Sequence, residues 1–338
     1  MRTIEATRPA RIALVGSGGS GKSMLAAALG HRLRRSFEGR IDWFRVGAWD
    51  FQTVTEMLAL RFNVSRGEGC VKRLQRYLAD GPERLIVLDN HENDSAMARV
   101  LAAFANSKVT FVITARRCLL GGVLVFPVTA PLVTSGASAF PRVAKLTRTL
   151  RWNPLALDIA DSIVGAGDAS VRELDEYLRT HGVAEVRALE HEDDVPELAL
   201  LIGWAWQRLS PPAHRVLGVL AHVEGDNVDA RSLAVLARMR RPIDAAIAEL
   251  SRWHLLQEPV VGRYTLHAVV RHAVARRTRP MPERLFEYYV SLLERDPARF
   301  ELEQTHLFAA MDHAYRESNM TAILRVDALV RRLEGADD

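Results

Sequence analysis

The sequence predicts an α/β domain with a mainly parallel sheet, followed by an all-helical domain and a winged-helix domain. Three observations support this prediction. From Arg11 to about Pro131, short apolar strands alternate with helical stretches, which is the pattern of a parallel sheet covered by helices. A glycine-rich loop separates the first strand from the first helix. After Pro131 the strand pattern stops, and helices continue until a hairpin predicted near residues 255–267.

Composition indicates an ordinary globular protein. The 338 residues are 48% apolar and 25% charged, which leaves room for two or three domains. The net charge of +4 permits an anionic partner without requiring one. Cys70 and Cys118 have no disulfide or metal-site spacing, which is typical of a reducing cytoplasm. With no signal segment and no apolar run of about 20 residues, we expect a cytoplasmic protein without a membrane span.

The glycine-rich loop is the first motif. It fits the pattern G-x-x-x-x-G-K-[ST] and reads Gly16-Ser17-Gly18-Gly19-Ser20-Gly21-Lys22-Ser23. A predicted strand at 11–15 precedes it and a predicted helix at 22–35 follows, which is the context of a phosphate-binding P-loop. Glycines let the backbone N–H groups converge on one anion, and the helix N-terminus adds its positive dipole end. We expect Lys22 to reach the β- and γ-phosphates of ATP, Ser23 to bind Mg²⁺, and Met24 to complete the nucleotide contacts. The alternative is a Gly/Ser-rich turn with a chance lysine.

The second motif is the apolar strand predicted at 84–89, which ends in Asp89. The carboxyl ends of parallel strands form the ligand-binding edge of an α/β sheet. Beside a P-loop, Asp89 is therefore expected to bind Mg²⁺ directly or through its ligands, as in a Walker B strand. The alternative is a cap of the next turn. Glu92 either orients and deprotonates an attacking water or is a solvated residue at the next helix start.

The third motif is the strand predicted at 109–114, which is followed by Ala115-Arg116-Arg117. Its final hydroxyl, Thr114, is placed to report on the γ-phosphate. Arg116 can pair with the same phosphate or with a neighbouring domain, although an arginine at a strand end can also be merely solvated.

The remaining elements complete the domain organisation. Further strands are predicted at 41–46 and 123–128, and further helices at 52–62, 69–79 and 94–105. Residues 134–209 are predicted to be helical, with Pro154 at a helix start and Asn153 as its N-cap. Three helices and a hairpin between 210 and 275 have the element order of a winged helix, and 283–337 is predicted to be helical. The predicted domains are a nucleotide-binding domain at 1–131, a helical domain at 132–209, a winged helix at 210–280, and C-terminal helices at 281–338.

Taken together, the motifs resemble the STAND class of signal-transducing P-loop ATPases, in its NB-ARC-like branch. The resemblance covers roughly residues 10–275. Besides the loop, it rests on four phrases, which are Leu85-Ile86-Val87-Leu88-Asp89-Asn90-His91-Glu92, Thr114-Ala115-Arg116, Trp152-Asn153-Pro154-Leu155-Ala156-Leu157 and Leu266-His267-Ala268. The departures are Ala115 for serine, Trp152 where glycine is usual, and Ala268 for an acidic residue.

The resemblance implies roles that the residues alone do not. Pro154 would contact the adenine side of the nucleotide, and His267 would bind the β-phosphate of ADP in the resting state. Without the resemblance, His267 would be interpreted as a core histidine. The helical domain would be ARC1-like, and the C-terminal helices would begin a helical repeat array.

The implied function is an ADP/ATP-dependent conformational switch with slow, Mg²⁺-dependent ATP hydrolysis. Its partners would be proteins that supply an effector or a sensor. The chain would also form a nucleotide-dependent homo-oligomer. The alternative is a winged-helix DNA-binding ATPase or transcriptional regulator, which the pI of about 9.3 and the cluster Arg238, Arg240 and Arg241 would suit. A GTPase is disfavoured, because no N-K-x-D motif follows the Asp89 strand.

Overall fold

The computed structural model describes residues 8–128, 140–186, 196–223, 227–240 and 242–334. The predicted domain boundary at 131–132 and Arg241 lie outside these residues. The described chain divides into two compact units. The first unit contains residues 8–128 together with 151–154, and the second contains the other described residues.

The first unit is built on a five-stranded parallel sheet. Its strands are β1 (Arg11–Val15), β2 (Ile41–Arg45), β3 (Arg84–His91), β4 (Val109–Ala115) and β5 (Leu124–Pro127). Their order in the sheet is β2-β3-β4-β1-β5, and all neighbouring pairs are parallel. All five predicted strands are therefore confirmed, with ends that differ by at most two residues. Strand β4 lies between β1 and β3, so the motifs that follow these three strands meet at one edge.

Four helices connect these strands. They are α1 (Lys22–Leu33), α2 (Phe51–Arg61), α3 (Cys70–Asp80) and α4 (Asp94–Ala103), as predicted. Side chains cap two of them, since Asp50 accepts from the Thr53 N–H at 2.8 Å and Asn93 accepts from the Ala96 N–H at 3.1 Å. Helix α1 follows Gly21, which provides no side-chain cap.

The central strands form the core of the first unit. Residues Leu85–Leu88 of β3 and Phe111–Ile113 of β4 have no exposed surface. This agrees with their nearly continuous apolar sequences, because a central parallel strand is covered by helices on both faces. The core thus places the polar C-terminal ends of β3 and β4 on a rigid support.

The second unit contains mainly helices. They are α5 (Pro154–Gly165, whose first residue belongs to the first unit), α6 (Val171–Val186), α7 (Pro196–Arg208), α8 (Pro211–His222), α9 (Ala230–Leu236), α10 (Asp244–Arg252), α11 (Ala268–Ala275), α12 (Pro282–Arg295), α13 (Phe300–Arg316) and α14 (Met320–Glu334). Single 3₁₀ turns occur at Ala144–Leu146 and Pro297–Arg299. Pro154 is the first residue of α5, as predicted. None of the described helices is long and apolar enough to cross a membrane.

A small antiparallel sheet has one strand between helices α8 and α9 and two strands after helix α10. Strands β6 (Val228–Asp229), β7 (Gln257–Val260) and β8 (Arg263–Thr265) lie in the order β6-β8-β7. The predicted three helices and hairpin are confirmed as elements by α8, α9, α10 and the β7–β8 pair. The sequence did not predict β6, because two residues are too short to show a strand pattern.

A buried group of charged side chains joins this sheet to helix α13; we call it the Glu303 cluster. Arg263 on β8 donates two hydrogen bonds to the Glu303 carboxylate, at 2.9 and 3.0 Å. Arg299 donates to Glu303 Oε1 at 2.6 Å and to Asp229 Oδ2 at 2.5 Å. His306, one turn after Glu303, lies with its Nε2 3.6 Å from the same carboxylate. Glu303 has no exposed surface, so its charge depends on these partners.

Candidate nucleotide-binding site

Strands β1, β3 and β4 bring the predicted motifs together at one edge of the sheet. The N–H of Gly16 donates to the Ala115 carbonyl at 3.3 Å, which attaches the start of the loop to the end of β4. Asp89 lies near the end of β3, and Thr114 lies one residue before the end of β4. The loop, the carboxylate and the hydroxyl therefore share one site, as the parallel topology requires.

The loop conformation depends on its glycines. A Cβ atom on Gly16 would lie 2.6 Å from the Val128 carbonyl oxygen and 3.0 Å from Ser20 Oγ. Gly19 and Gly21 have φ angles of 76° and 90°, in the left-handed region that favours glycine. Glycine is thus required once for space and twice for backbone conformation.

Lys22 lies against the carbonyl groups of the loop. Its Nζ donates to the carbonyl oxygens of Gly16 and Ser17, at 2.8 Å each. The pKa of Lys22 is lowered to about 8, mainly by burial and also by the positive charge of Arg116, while the negative charge of Asp89 partly opposes both effects. Two cationic side chains therefore act on the same small volume, which favours an anion there.

Ser23, Asp89 and Thr114 form a connected group. The Ser23 hydroxyl donates to Asp89 Oδ1 at 2.7 Å, and the Thr114 hydroxyl donates to the same oxygen at 2.5 Å. Because Ser23 uses its hydrogen on Asp89, its oxygen lone pairs are oriented away from the carboxylate and suit a cation. The geometry gives Thr114 a direct contact with Asp89; its predicted contact with the γ-phosphate stays a prediction.

Strand β3 is irregular directly after Asp89. Its pairing with β4 shifts register between Leu88 and His91, and Asn90 has a φ of 58°. The Asn90 N–H donates to Thr114 Oγ1 at 2.9 Å, and its side-chain amide donates to Glu92 Oε1 at 2.9 Å. Glu92 is exposed, and its role as a base stays a prediction. At this irregularity the backbone N–H of Asn90 reaches the Thr114 hydroxyl, and β-bulges are common beside functional sites.

Two further candidate residues lie close to this group. Arg116 follows β4 directly, is half-buried, and has a positive charge that acts on Lys22. Met24 is on the first turn of α1 and is 72% exposed. Their contacts with a nucleotide stay predictions.

The chemistry of the loop fits a phosphate group. Ser20 is 7% exposed, and within the described residues its hydroxyl has no hydrogen-bond partner. An unsatisfied buried hydroxyl beside a glycine loop, a lysine and a helix N-terminus suits a multiply charged oxyanion.

The residues also suit Mg²⁺, but only together with other ligands. In the part of the chain that the structure describes, no group of three or more His, Cys, Asp or Glu side chains could hold a metal. Magnesium commonly takes one or two protein oxygens and completes its shell with phosphate oxygens and water. Ser23 and Asp89 would supply the protein side of such a shell.

Sequence reasoning missed one contact of the loop. Asn153 was expected only to cap helix α5, a role that stays a prediction. Its side-chain amide donates to the Gly18 carbonyl at 2.7 Å, across 135 residues of chain. No local sequence pattern indicates such a contact.

His267 lies in the second unit, directly before helix α11. It is half-buried, and its Nε2 lies 2.9 Å from Gln257 Nε2 on β7. The assignments of His267 and Pro154 to the nucleotide stay predictions.

Comparisons with known proteins agree with this architecture. No family model and no curated protein matches the sequence. Among solved structures, the chain is similar to a signal transduction ATPase with numerous domains (STAND) that carries a tetratricopeptide repeat sensor, from Pyrococcus horikoshii. The two are 18% identical with a TM-score of 0.61, and the match covers 99% of this chain and 53% of that one. The chain thus spans about half of the length of that protein.

Two weaker similarities involve other solved structures. Cdc6p from Pyrobaculum aerophilum is 13% identical with a TM-score of 0.31, covering 80% of this chain and 88% of its own. A Walker-type ATPase from Pyrococcus abyssi is 15% identical with a TM-score of 0.34, covering 81% and 93% respectively.

The class of fold is therefore that of an α/β P-loop NTPase followed by a helical region. More particularly, the chain has the fold of a STAND-class P-loop ATPase. The first comparison carries this assignment, and the motifs predicted from the sequence agree with it.

Proposed function

We propose that this chain binds ATP and ADP together with Mg²⁺, and that it acts as a slow ATPase whose nucleotide state controls its conformation. One observation carries the proposal most strongly. The Ser23 hydroxyl donates to Asp89 Oδ1 at 2.7 Å, directly beside a glycine loop whose lysine and buried Ser20 suit a phosphate. This arrangement supplies the protein oxygens for Mg²⁺ and the donors for phosphate at one edge of the sheet.

The residues support slow hydrolysis. Lys22 and Arg116 would stabilise charge on the phosphate oxygens, and Ser23 would bind Mg²⁺ while Asp89 holds its hydroxyl. Glu92 is the candidate base for the attacking water, but its carboxylate accepts a hydrogen bond from the Asn90 amide. Turnover is expected to be low, because Asn90 provides no second carboxylate next to Asp89 and Glu92 is the remaining candidate base.

The proposal extends to a switch between nucleotide states. In the proposed switch, residues 1–131 bind nucleotide, residues 132–209 form an ARC1-like helical domain, residues 210–280 form a winged helix, and residues 281–338 begin a helical array. Pro154 would contact the adenine side, and His267 would bind the ADP β-phosphate and favour a closed form. Exchange of ADP for ATP shifts the populations of the two forms only to the extent that the nucleotide binds one form more tightly than the other.

The expected partners follow from the same proposal. The similar Pyrococcus horikoshii protein carries a tetratricopeptide repeat sensor, and a sensor or an effector would act on this chain as well. ATP binding would expose a surface for homo-oligomerisation or partner regulation in the NB-ARC-like manner. Two free thiols, Cys70 and Cys118, suit a cytoplasmic location.

DNA binding is the second candidate, and the described surface supports it less. In the proposed winged helix, α10 would be the recognition helix, and its exposed side chains are Asp244, Ala245, Ala248, Ser251 and Arg252. At the hairpin tip, Val260 and Val261 are 55% and 93% exposed. Arg238 and Arg240 are exposed nearby, but the surfaces that would enter the grooves offer few donors to phosphates or bases.

The decisive experiment is chemical identification of bound nucleotide. The purified protein is denatured, and any released nucleotide is identified by chromatography; we expect ADP in near-stoichiometric amount. Lys22→Ala should carry none and should not bind added ADP, whereas Lys72→Ala, on the exposed face of α3, should behave like the wild type. Full nucleotide affinity in Lys22→Ala would contradict the site. Tight, salt-sensitive binding of duplex DNA by a nucleotide-free protein would favour the second candidate.

A further inference from the structure

Asn153 contacts the phosphate loop from a distant part of the sequence. The residue is only 3% exposed, and its side-chain Nδ2 donates to the Gly18 carbonyl oxygen at 2.7 Å. Residues 151–154 belong to the first unit with the loop, although the chain before and after them belongs to the second. The contact therefore lies inside one compact unit.

The backbone leading to Asn153 adopts an uncommon conformation. Arg151 and Trp152 have φ angles of 49° and 56°, in the left-handed region that residues with a Cβ atom seldom adopt. Two consecutive residues of this kind persist only where the surroundings favour them. Their position directly before Asn153 indicates that the segment is shaped to present this side chain to the loop.

The contact has a direct consequence for the loop backbone. In a trans peptide, the C=O and N–H groups point in opposite directions. Asn153 holds the Gly18 carbonyl, so the N–H of Gly19 in the same peptide is directed to the opposite side. Rotation of this peptide is opposed by few steric contacts, because both of its residues are glycines and Gly19 already has a φ of 76°.

We propose that Asn153 is a positioning residue of the phosphate loop, whose amide holds the Gly18–Gly19 peptide so that the Gly19 N–H is available to a phosphate oxygen. This inference rests on the proposed function of the loop. It implies that Asn153 affects the binding of the phosphates and not that of the base or the ribose. Loss of the Asn153 side chain should therefore weaken the binding of ADP and of inorganic pyrophosphate by the same factor.

The sharpest variant is Asn153→Asp, which keeps the shape of the side chain and replaces the donor with a carboxylate. The carboxylate would face the Gly18 carbonyl and repel it, which favours rotation of the peptide. We expect dissociation constants for ADP and pyrophosphate to rise about 30-fold or more at pH 7.5, against about tenfold for Asn153→Ala. Asn63→Asp, at an exposed position of the first unit, is the matched control and should bind like the wild type.

The experiment is isothermal titration of full-length variants with ADP and with pyrophosphate, together with thermal unfolding in the absence of ligand. Equal losses for both ligands, at an unchanged unfolding temperature, support a positioning role that general destabilisation would not produce. Where Asn153→Asp does not fold, Asn153→Ala and Asn153→Ser decide the same question.

Two results would overturn the inference in distinguishable ways. If folded Asn153 variants bind ADP and pyrophosphate within twofold of the wild type while Lys22→Ala does not bind them, the role of Asn153 is refuted and the loop assignment remains intact. Unchanged binding in Lys22→Ala refutes the loop assignment itself, and the role of Asn153 with it.

Discussion

At the scale of single residues, space around the loop backbone decides which side chains the site tolerates. Gly16 is surrounded by the Val128 carbonyl and Ser20 Oγ, whereas a Cβ on Gly121 would meet nothing within 4 Å. The loop conformation requires a glycine at position 16, whereas position 121 has space for a side chain. The difference provides a matched pair of substitutions.

We predict that Gly16→Ala weakens ADP binding by at least tenfold. A contact of 2.6 Å between Cβ and a backbone oxygen must be relieved by moving the loop or the segment after β5, and either movement misplaces the N–H donors. Titration of ADP into the variant measures the loss. Gly121→Ala should bind normally; equal affinities in both variants would show that the loop adapts and that this shape is not required.

The residue scale also separates what sequence can and cannot predict about the site. Lys22, Ser23 and Asp89 were predicted because each has a fixed place in a short motif, and the structure brings all three together. The contact of Asn153 with Gly18 could not be predicted, because it joins positions 135 residues apart through one side chain. The double use of Asp89 Oδ1 by Ser23 and Thr114 likewise depends on which strands are neighbours.

At the scale of secondary-structure elements, the Glu303 cluster links the β6–β8 sheet to helices α12 and α13. The Nε2–H of His306 donates to the Asn227 carbonyl oxygen at 2.8 Å, and its ring stacks on Tyr289 with centroids 4.3 Å apart. Burial alone would raise the pKa of Glu303, but hydrogen bonds from Arg263 and Arg299 lower it overall. The carboxylate is therefore ionised and fully enclosed.

We predict that Glu303→Ala destabilises the second unit by about 3–5 kcal/mol, because it leaves Arg263 buried without its main partner. Unfolding in urea, followed by tryptophan fluorescence and circular dichroism, measures the change. Glu301→Ala, exposed on the same helix, should change stability by less than about 0.5 kcal/mol. A loss below about 1 kcal/mol for Glu303→Ala would mean that water replaces the carboxylate.

The same cluster predicts a dependence of stability on pH. Burial lowers the pKa of His306 to about 4, although Glu303 opposes this shift. Among the described residues its Nδ1 has no hydrogen-bond partner, so protonation would bury an unpaired N–H. The unfolded chain binds this proton near pH 6.5, so stability is complete above that pH and decreases as the pH falls toward 4.

We expect His306→Asn to flatten this decrease between pH 6.5 and 4, which in the wild type amounts to roughly 3 kcal/mol for a shift of this size. Urea unfolding at several pH values provides the measurement. His313→Asn, two turns later on α13, should retain the wild-type slope. If both variants keep the slope, the acid sensitivity arises from other groups.

Elements were easier to predict than their contacts. Alternating strands and helices, Pro154 and the three helices before a hairpin all follow from local periodicity and from proline and glycine chemistry. The two-residue strand β6 and the bulge after Asp89 do not, because both exist only through pairing with a neighbouring strand.

At the scale of the whole molecule, the proposed switch depends on how strongly ADP favours one form. The role of His267 in that preference was derived from a resemblance and can be tested without assuming any arrangement of the two units. A histidine that contacts the β-phosphate should slow the release of ADP.

We predict that His267→Ala increases the rate of ADP release by about tenfold, the effect of one hydrogen bond to a charged group. Stopped-flow release of a fluorescent ADP analogue measures the rate. His272→Ala, half-buried on α11, is the matched control and should release ADP at the wild-type rate. Identical rates in His267→Ala and the wild type would remove His267 from the nucleotide site.

By itself, the sequence determined the α/β fold class, the strand and helix order, and the loop, Ser23 and Asp89 as the centre of the candidate site. Such features are encoded locally, by periodicity over a few turns and by short motifs whose spacing the chemistry dictates. Tertiary structure alone decided that β4 lies between β1 and β3, that Thr114 and Ser23 share one carboxylate oxygen, and that Asn153 holds Gly18. These features join distant segments, and their geometry depends on packing of the whole sheet and its helices, which no short stretch of sequence specifies.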